Sequence, residues 1–127
     1  MKDITPAEMQ IREYVMNQIR ETYKSFGFSQ IETPCVEHIE NLTSKQGGDN
    51  EKLIFKVLKR GDKLNLETAQ DENDLTDSGL RYDLTLPLSR YYANNASSLP
   101  SPFKALQIGN VWRADRPQRG RFRQFMQ

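Results

Sequence analysis

Residues 111–125 read VWRADRPQRGRFRQF, and this stretch carries most of the information about the fold. It contains five arginines and a single acid, Asp115. Residues 103–112, which precede the arginines, are mostly apolar or strand-prone, and apolar and polar side chains alternate over residues 122–126. We therefore predict a hairpin in which two strands flank a long basic loop, residues 113–120.

The side chains of this hairpin suit three kinds of surface. A guanidinium is planar, permanently charged and able to hold a phosphate through two hydrogen bonds. Trp112, Phe122 and Phe125 supply aromatic faces of the kind that stack on a purine base. The same residues could follow a nucleic-acid backbone or form an inert solvated turn. Composition alone therefore leaves a nucleotide site, a nucleic-acid site and a plain surface open.

The start of the chain has a strong helix pattern. Thr5 and Glu8 can form a capping box, and Pro6 suits the first helical position. Apolar residues then recur every three or four positions until Gly27, a natural stop. These features predict a helix over residues 6–26.

The rest of the chain gives weaker patterns. The stretch from residue 67 to residue 77 contains five acids and no base, which favours an exposed loop. A turn at Gly61 and Asp62 would join two short strands. In chain order, we expect an edge segment at 28–32, a short helix at 36–42, a loop at 46–50, strands at 53–57 and 64–66, a loop at 67–78, a strand at 80–82, a helix at 84–92 and a loop at 94–102.

Bulk composition is that of one modest globular domain. The chain has 127 residues, of which 36% are hydrophobic and 28% charged, with a formal net charge of +1. No run of apolar residues is long enough to span a membrane, and no leader pattern opens the chain. The single cysteine, Cys35, has no partner for an internal disulfide and no surrounding metal-ligand cluster. A cytoplasmic setting is expected.

Four stretches of the sequence resemble landmarks of one family in the same order. Residues 111–125 resemble motif 2 of the class II aminoacyl-tRNA synthetases, in the form typical of the histidyl-tRNA synthetase family. The segment LRYDLT, residues 80–85, resembles the part that lines the amino-acid pocket in that family. GFSQIETP, residues 27–34, resembles motif 1, and DITP, residues 3–6, is similar to the opening segment.

The resemblance implies an α+β fold: part of a class II catalytic domain, with a mainly antiparallel sheet flanked by helices. It places motif 1 near 27–42, the amino-acid pocket segment at 80–85 and motif 2 near 103–127. Motif 3 and the anticodon-binding domain of the family would lie beyond residue 127.

The resemblance also implies a reaction. Synthetases of this class join an amino acid to ATP as an aminoacyl-adenylate and then transfer it to tRNA. The expected substrates are histidine, ATP and tRNA(His), with Mg²⁺ accompanying ATP and a homodimer formed through motif 1. We expect no metal ligands of the chain's own and no membrane partner.

Particular residues take roles by the same resemblance. For ATP, Arg113 would contact the α-phosphate and the substrate carboxylate, Asp115 would read the adenine amino group, Arg121 would hold the outer phosphates, and Phe125 would lie under the adenine ring. For histidine, the matching positions are Asp83, Thr85, Arg113 and Gln127. Asp83 would face the α-ammonium group, which a carboxylate suits. It could instead cap the helix that follows, or do both, and Arg81 could organise the pocket or serve only the fold.

Three other functions remain open at this point. A synthetase-like regulatory subunit of histidine biosynthesis would share the fold without needing the ATP-binding residues. A nucleic-acid-binding module would use the arginine loop against phosphates. A synthetase for proline, threonine or glycine would share the general plan. Because the chain ends within the last predicted strand, we expect the natural protein to continue, and we expect residues 1–127 alone to be inactive.

Overall fold

The computed structural model describes residues 1–43 and 48–127. Its helices are α1 (Pro6–Ser25), α2 (Ile39–Leu42), α3 (Glu72–Leu75) and α4 (Thr85–Asn95). Its strands are β1 (Ser29–Ile31), β2 (Val36–His38), β3 (Lys56–Leu58), β4 (Thr76–Leu80), β5 (Ala105–Gln107), β6 (Asn110–Trp112) and β7 (Gln124–Met126). Short 3-10 helices cover Asp49–Leu53, Gly61–Lys63 and Ala96–Ser98.

Helix α1 confirms the strongest local prediction. The Thr5 hydroxyl accepts a hydrogen bond from the Glu8 backbone N–H at 3.4 Å, and the Thr5 backbone N–H donates to Glu8 Oε2 at 2.9 Å. This capping box satisfies two backbone donors at the helix start. After the helix, Gly27 adopts a φ of 78°, a left-handed conformation that glycine enters without steric cost.

The strands form three small sheets. β1 pairs with β5 in parallel, with Ser29 opposite Ala105. β2, β4 and β3 form an antiparallel sheet with β4 in the centre. β6 and β7 form the predicted antiparallel hairpin, with Val111 opposite Phe125. The strand-prone stretch 103–112 is divided, because β5 belongs to a different sheet from β6. The expected α+β class with mainly antiparallel pairing is therefore confirmed.

The central sheet corrects two predictions. Residues 36–42 are helical only in their second half, because the first half is β2 and pairs with β4. The predicted loop at 67–78 contains α3 and most of β4. Strand β4 has a polar sequence with a glycine, so it does not look like a strand on its own. It is stabilised by having a partner on each side.

The region before β4 brings further corrections. The predicted strand at 53–57 is shifted, since Leu53 ends a 3-10 helix and β3 is Lys56–Leu58. Residues 64–66 form no strand, because β3 pairs with β4 instead of with a neighbouring hairpin arm. Of the loop predicted at 46–50, residues 46 and 47 lie outside the described part of the chain.

The buried side chains are few and lie under the central sheet and the hairpin. Val111 is completely buried, and Leu42, Ile54 and Leu84 are nearly so. An ideal Cβ on Gly79 would lie 2.9 Å from Ile54 Cγ2, so the sheet passes very close to this core. The core therefore anchors β4 and β6, the two strands that lead into the candidate site.

The apolar stripe of α1 is only partly covered. It borders an open groove of about 620 Å³ whose other wall comes from residues 106–108 and 125–127. Ile11 and Phe26 are each 68% exposed. Within the described residues, no helix combines the length and the apolar character needed to cross a membrane.

Candidate functional site

Arg113 directly follows β6, and the pocket segment fixes its orientation. Its Nε donates a hydrogen bond to the Tyr82 carbonyl oxygen at 2.9 Å, and a terminal nitrogen lies 3.4 Å from Asp83 Oδ2. The guanidinium carbon sits 5.2 Å from the centre of the Phe125 ring, within cation–π range. Arg113 is about one-third exposed, so part of the guanidinium still faces solvent.

Asp83 gathers the predicted histidine-binding residues around one carboxylate. Its Oδ1 accepts the backbone N–H of Thr85 at 2.7 Å, at the first residue of α4. Its Oδ2 faces Arg113 and accepts a hydrogen bond from Gln127 Nε2 at 3.0 Å. The cap-like bond and the contact with the arginine therefore coexist on opposite oxygens of the same side chain.

The surroundings of Asp83 favour its charged form. Partial burial acts to raise its pKa, but hydrogen bonds from Thr85 and Gln127 and the charge of Arg113 together outweigh it. The pKa of Asp83 therefore lies below its ordinary value, and the group is an anion at neutral pH. Nearby, partial burial and the charges of Asp83 and Glu51 raise the pKa of the Tyr82 hydroxyl.

All four residues predicted for ATP line one cleft. The cleft has a volume of about 230 Å³ and opens between the end of β6 and the start of β7. Its lining residues are Arg113, Asp115, Gly120, Arg121, Phe122 and Phe125. The cleft thus presents two guanidinium groups, a carboxylate and aromatic faces, the combination that a purine nucleotide requires.

The loop at the far end of the hairpin is held more loosely than the strands. Arg116 and Arg119 are exposed, and the loop closes through one bridge between Gln118 and Arg121. Arg121 NH1 lies 3.6 Å from Asp115 Oδ2, with the arginine side chain 57% exposed. An exposed pair at this distance contributes little to stability, so Arg121 can leave it for a ligand.

Some contacts that position the site come from backbone groups that no sequence motif reveals. The Tyr82 carbonyl accepts from Arg113, and the Leu53 carbonyl accepts the Ala114 N–H at 2.8 Å. Arg123 Nε donates to the Asp115 carbonyl at 3.1 Å. Any side chain offers the same carbonyl oxygen, so residue type gives no indication of these roles.

A sequence model of the histidyl-tRNA synthetase family matches residues 1–127, the whole chain. The chain belongs to the histidyl-tRNA synthetase family. The histidine–tRNA ligase of Leifsonia xyli subsp. xyli is 48% identical over 131 aligned positions, and that of Porphyromonas gingivalis is 46% identical over 136. Each alignment covers 100% of this chain but 30% of the relative, so the chain spans about a third of its relatives' length.

Two solved structures have the same fold. The histidyl-tRNA synthetase of Nostoc sp. PCC 7120 superposes with a TM-score of 0.75 and 32% identity, over 99% of this chain and 25% of that one. A Bacillus halodurans protein described as an ATP phosphoribosyltransferase regulatory subunit/histidyl-tRNA synthetase gives 0.74 at 24% identity, covering 99% of this chain and 29% of that one. The chain therefore has the fold of part of a class II synthetase catalytic domain.

Proposed function

We propose that the full-length protein activates histidine with ATP and transfers it to tRNA(His). One observation carries the proposal: Arg113 belongs both to the cleft that suits a nucleotide and to the cluster around Asp83. In adenylate formation the histidine carboxylate attacks the α-phosphorus of ATP and pyrophosphate leaves, so a cation shared by the two anionic groups stabilises their approach. Arg113 stands where such a cation is needed.

On the nucleotide side, charge and position supply most of the rate. Arg113 stabilises the negative charge that gathers on the α-phosphate during in-line attack. Arg121 turns from Asp115 to the outer phosphates, and Phe125 stacks on the adenine ring. Asp115 then accepts a hydrogen bond from the adenine amino group. The support for these roles is that the four side chains line a single cleft.

On the amino-acid side, Asp83 holds the α-ammonium group. Its low pKa keeps it charged, and Thr85 and Gln127 fix its orientation. Gln127 is bound in turn, since its Oε1 accepts the Leu84 N–H at 3.2 Å. A bound amino acid would therefore present its carboxylate toward Arg113 and its ammonium toward Asp83. In this arrangement the attacking oxygen would lie beside the α-phosphate.

The remaining partners follow from the family and from the site. Mg²⁺ is expected to accompany the ATP phosphates, as the family resemblance implies. Motif 1, residues 27–42, forms the contact of a homodimer. The amino-acid pocket segment is residues 80–85, and motif 2 is residues 103–127. The protein acts in the cytoplasm.

A synthetase-like regulatory subunit of histidine biosynthesis is the second candidate. It is favoured by the similar fold of the Bacillus halodurans protein. A regulatory subunit has no need to keep a nucleotide cleft, whereas here Arg113, Arg121 and Phe125 are all present and adjacent. The cleft therefore favours the enzyme.

The deciding experiment is ATP–pyrophosphate exchange by the full-length protein with each of the twenty amino acids. Exchange with histidine alone is the expected result. Exchange with a different amino acid would show that the protein activates that amino acid instead of histidine. No exchange from folded protein would favour the regulatory subunit. Residues 1–127 alone should give no useful exchange, because they carry only part of the expected site.

A further inference from the structure

Arg81 is a buried cation at the junction of three segments. Its side chain is only 4% exposed, and it lies between β4 and the pocket residues Tyr82 and Asp83. Burying a charged group is costly unless hydrogen bonds replace the lost water. The arginine must therefore be held by protein oxygens.

The guanidinium is bound by two separate parts of the chain. Its NH1 donates to the Thr33 carbonyl at 2.7 Å, to the Thr33 hydroxyl at 3.0 Å and to the Pro34 carbonyl at 3.3 Å. Its Nε donates to the Asn110 carbonyl at 2.9 Å, in β6. A planar fork of donors can span these acceptors at once, which a lysine ammonium on a flexible stem cannot do.

The backbone of Arg81 strengthens the same junction. Its N–H donates to the Cys35 carbonyl at 3.0 Å, and its carbonyl accepts the Trp112 N–H at 2.9 Å. Side chain and backbone together therefore fix both ends of β6 against the pocket segment. Arg113 is the next residue after that strand.

Gly109 shows how closely the chain approaches this side chain. A Cβ built on Gly109 would lie 2.3 Å from NH2 of Arg81, a distance at which something has to shift. The glycine therefore leaves room for the guanidinium just before β6 begins. Substitution at position 109 gives a way to displace Arg81 without removing it.

We propose that Arg81 is a positioning residue for adenylate formation: its guanidinium fixes β6 relative to Tyr82 and Asp83 and so sets the angle at which Arg113 meets the substrates. This inference rests on the proposed function. The Arg81 side chain is buried within the pocket segment and is not expected to touch a substrate. Its effect passes through the Tyr82 carbonyl, which accepts from Arg113 Nε, and through the Trp112 N–H.

The test uses the full-length protein and the exchange assay with histidine. Arg81→Lys keeps the charge but loses the fork, and Gly109→Ala pushes the guanidinium aside. Both should lower kcat by roughly 10- to 100-fold with little change in either KM, because misplacing a reacting group by about 1 Å has an effect of this size. Thermal unfolding and circular dichroism establish that each variant is folded.

Matched controls separate positioning from general destabilisation. Arg90→Lys removes a second guanidinium, one that binds Glu37 with Nε–O distances of 2.8 and 2.9 Å away from the candidate site. Gly79→Ala introduces a clash with Ile54 in the core and shows how far such a clash alone lowers the melting temperature. Arg90→Lys should lower the melting temperature without lowering kcat.

The double variant supplies the sharpest test. With lysine at position 81 the clashing NH2 is gone, so adding Gly109→Ala should lower kcat far less than it does in the wild type. This inference is wrong, while the proposed function stands, if Gly109→Ala lowers kcat as much in the Arg81→Lys background as in the wild type. The same holds if folded Arg81→Lys has the kcat of the wild type. If Arg81→Lys does not fold, wild-type kcat in Gly109→Ala would overturn this inference alone. A wild-type protein that exchanges with no amino acid would overturn the proposed function and this inference together.

Discussion

The two ends of the β6–β7 hairpin are held very differently. The base consists of the paired strands and Arg113, the residue that directly follows β6. There Gly109 and Gln127 exchange backbone hydrogen bonds of 3.0 and 3.1 Å, and Arg113 is fixed by the pocket segment. At the tip, arginines are exposed, and Arg121 has one ion pair of 3.6 Å. A preorganised charge stabilises a transition state without further reorganisation, whereas a loosely held charge can close on a ligand. The base therefore suits chemistry and the tip suits capture of ATP.

The largest effect should come from removing the charge at the base. Arg113→Ala is expected to lower kcat for histidine-dependent exchange by about 10²- to 10³-fold, the usual cost of losing a preorganised charge or donor at the reacting centre. Arg116→Ala, which removes an exposed arginine from the tip, is the matched control and should stay close to wild type. Equal losses in the two variants would erase the distinction between base and tip.

Asp83→Ala should have the next largest effect, on the amino acid. Losing a charged hydrogen-bond partner costs about 1.5–3 kcal/mol, so the KM for histidine should rise roughly 10- to 100-fold while the KM for ATP changes little. Asp77→Ala, at an exposed aspartate of β4, is the control. An unchanged KM for histidine would leave Asp83 with a structural role only.

At the tip, Arg121→Ala should raise the KM for ATP by only about fivefold, since exposed ion pairs are worth at most about 1 kcal/mol. Arg121→Lys should recover part of the loss, because it keeps the charge. The neighbouring exposed Arg119→Ala provides the control. A fall in kcat as large as that of Arg113→Ala would show that the tip takes part in chemistry.

The smallest effect is the pH dependence of the stability that Asp83 contributes to the fold. Because the folded-state pKa of Asp83 is lowered, its charge stabilises the fold above the unfolded-state pKa of about 3.9 and loses that contribution as the pH falls through the folded-state value. Urea unfolding of residues 1–127 should therefore show a wild-type advantage over Asp83→Asn at pH 6 that shrinks below about pH 4. A pH-independent difference would contradict the ionic origin of this contribution.

The sequence predicted the fold best where the deciding interactions are local. Helix α1 begins at Pro6, as its capping box predicts, and ends at Ser25, one residue before the predicted end. The β6–β7 hairpin also follows from neighbouring residues. Most of strand β4 was missed, since the strand predicted at 80–82 overlaps it only at Leu80. The polar residues of β4 form a strand only between two partners distant in sequence.

The candidate site shows a similar division. Family resemblance selected Asp83, Arg113 and Gln127, and these side chains are adjacent in the fold, although their substrate roles stay proposals. The sequence could not decide whether Arg81 organises the pocket or serves only the fold. Its acceptors are mostly backbone carbonyls, from residues 33, 34 and 110. Because every residue carries a backbone carbonyl, the sequence does not show which carbonyls a side chain will contact.

The parallel pairing of β1 with β5 has a consequence for synthesis of the chain. Lys104 Nζ donates to the Phe26 carbonyl at 3.0 Å, although the two residues are 78 positions apart. A ribosome adds about 5–20 residues per second, so β1 waits roughly 4–16 s before its partner strand is made. Throughout that interval the apolar stripe of α1 has no sheet beside it. Helix α1 is therefore made well before the strand that packs beside it, and its apolar stripe is open to chaperones and to aggregation during that interval.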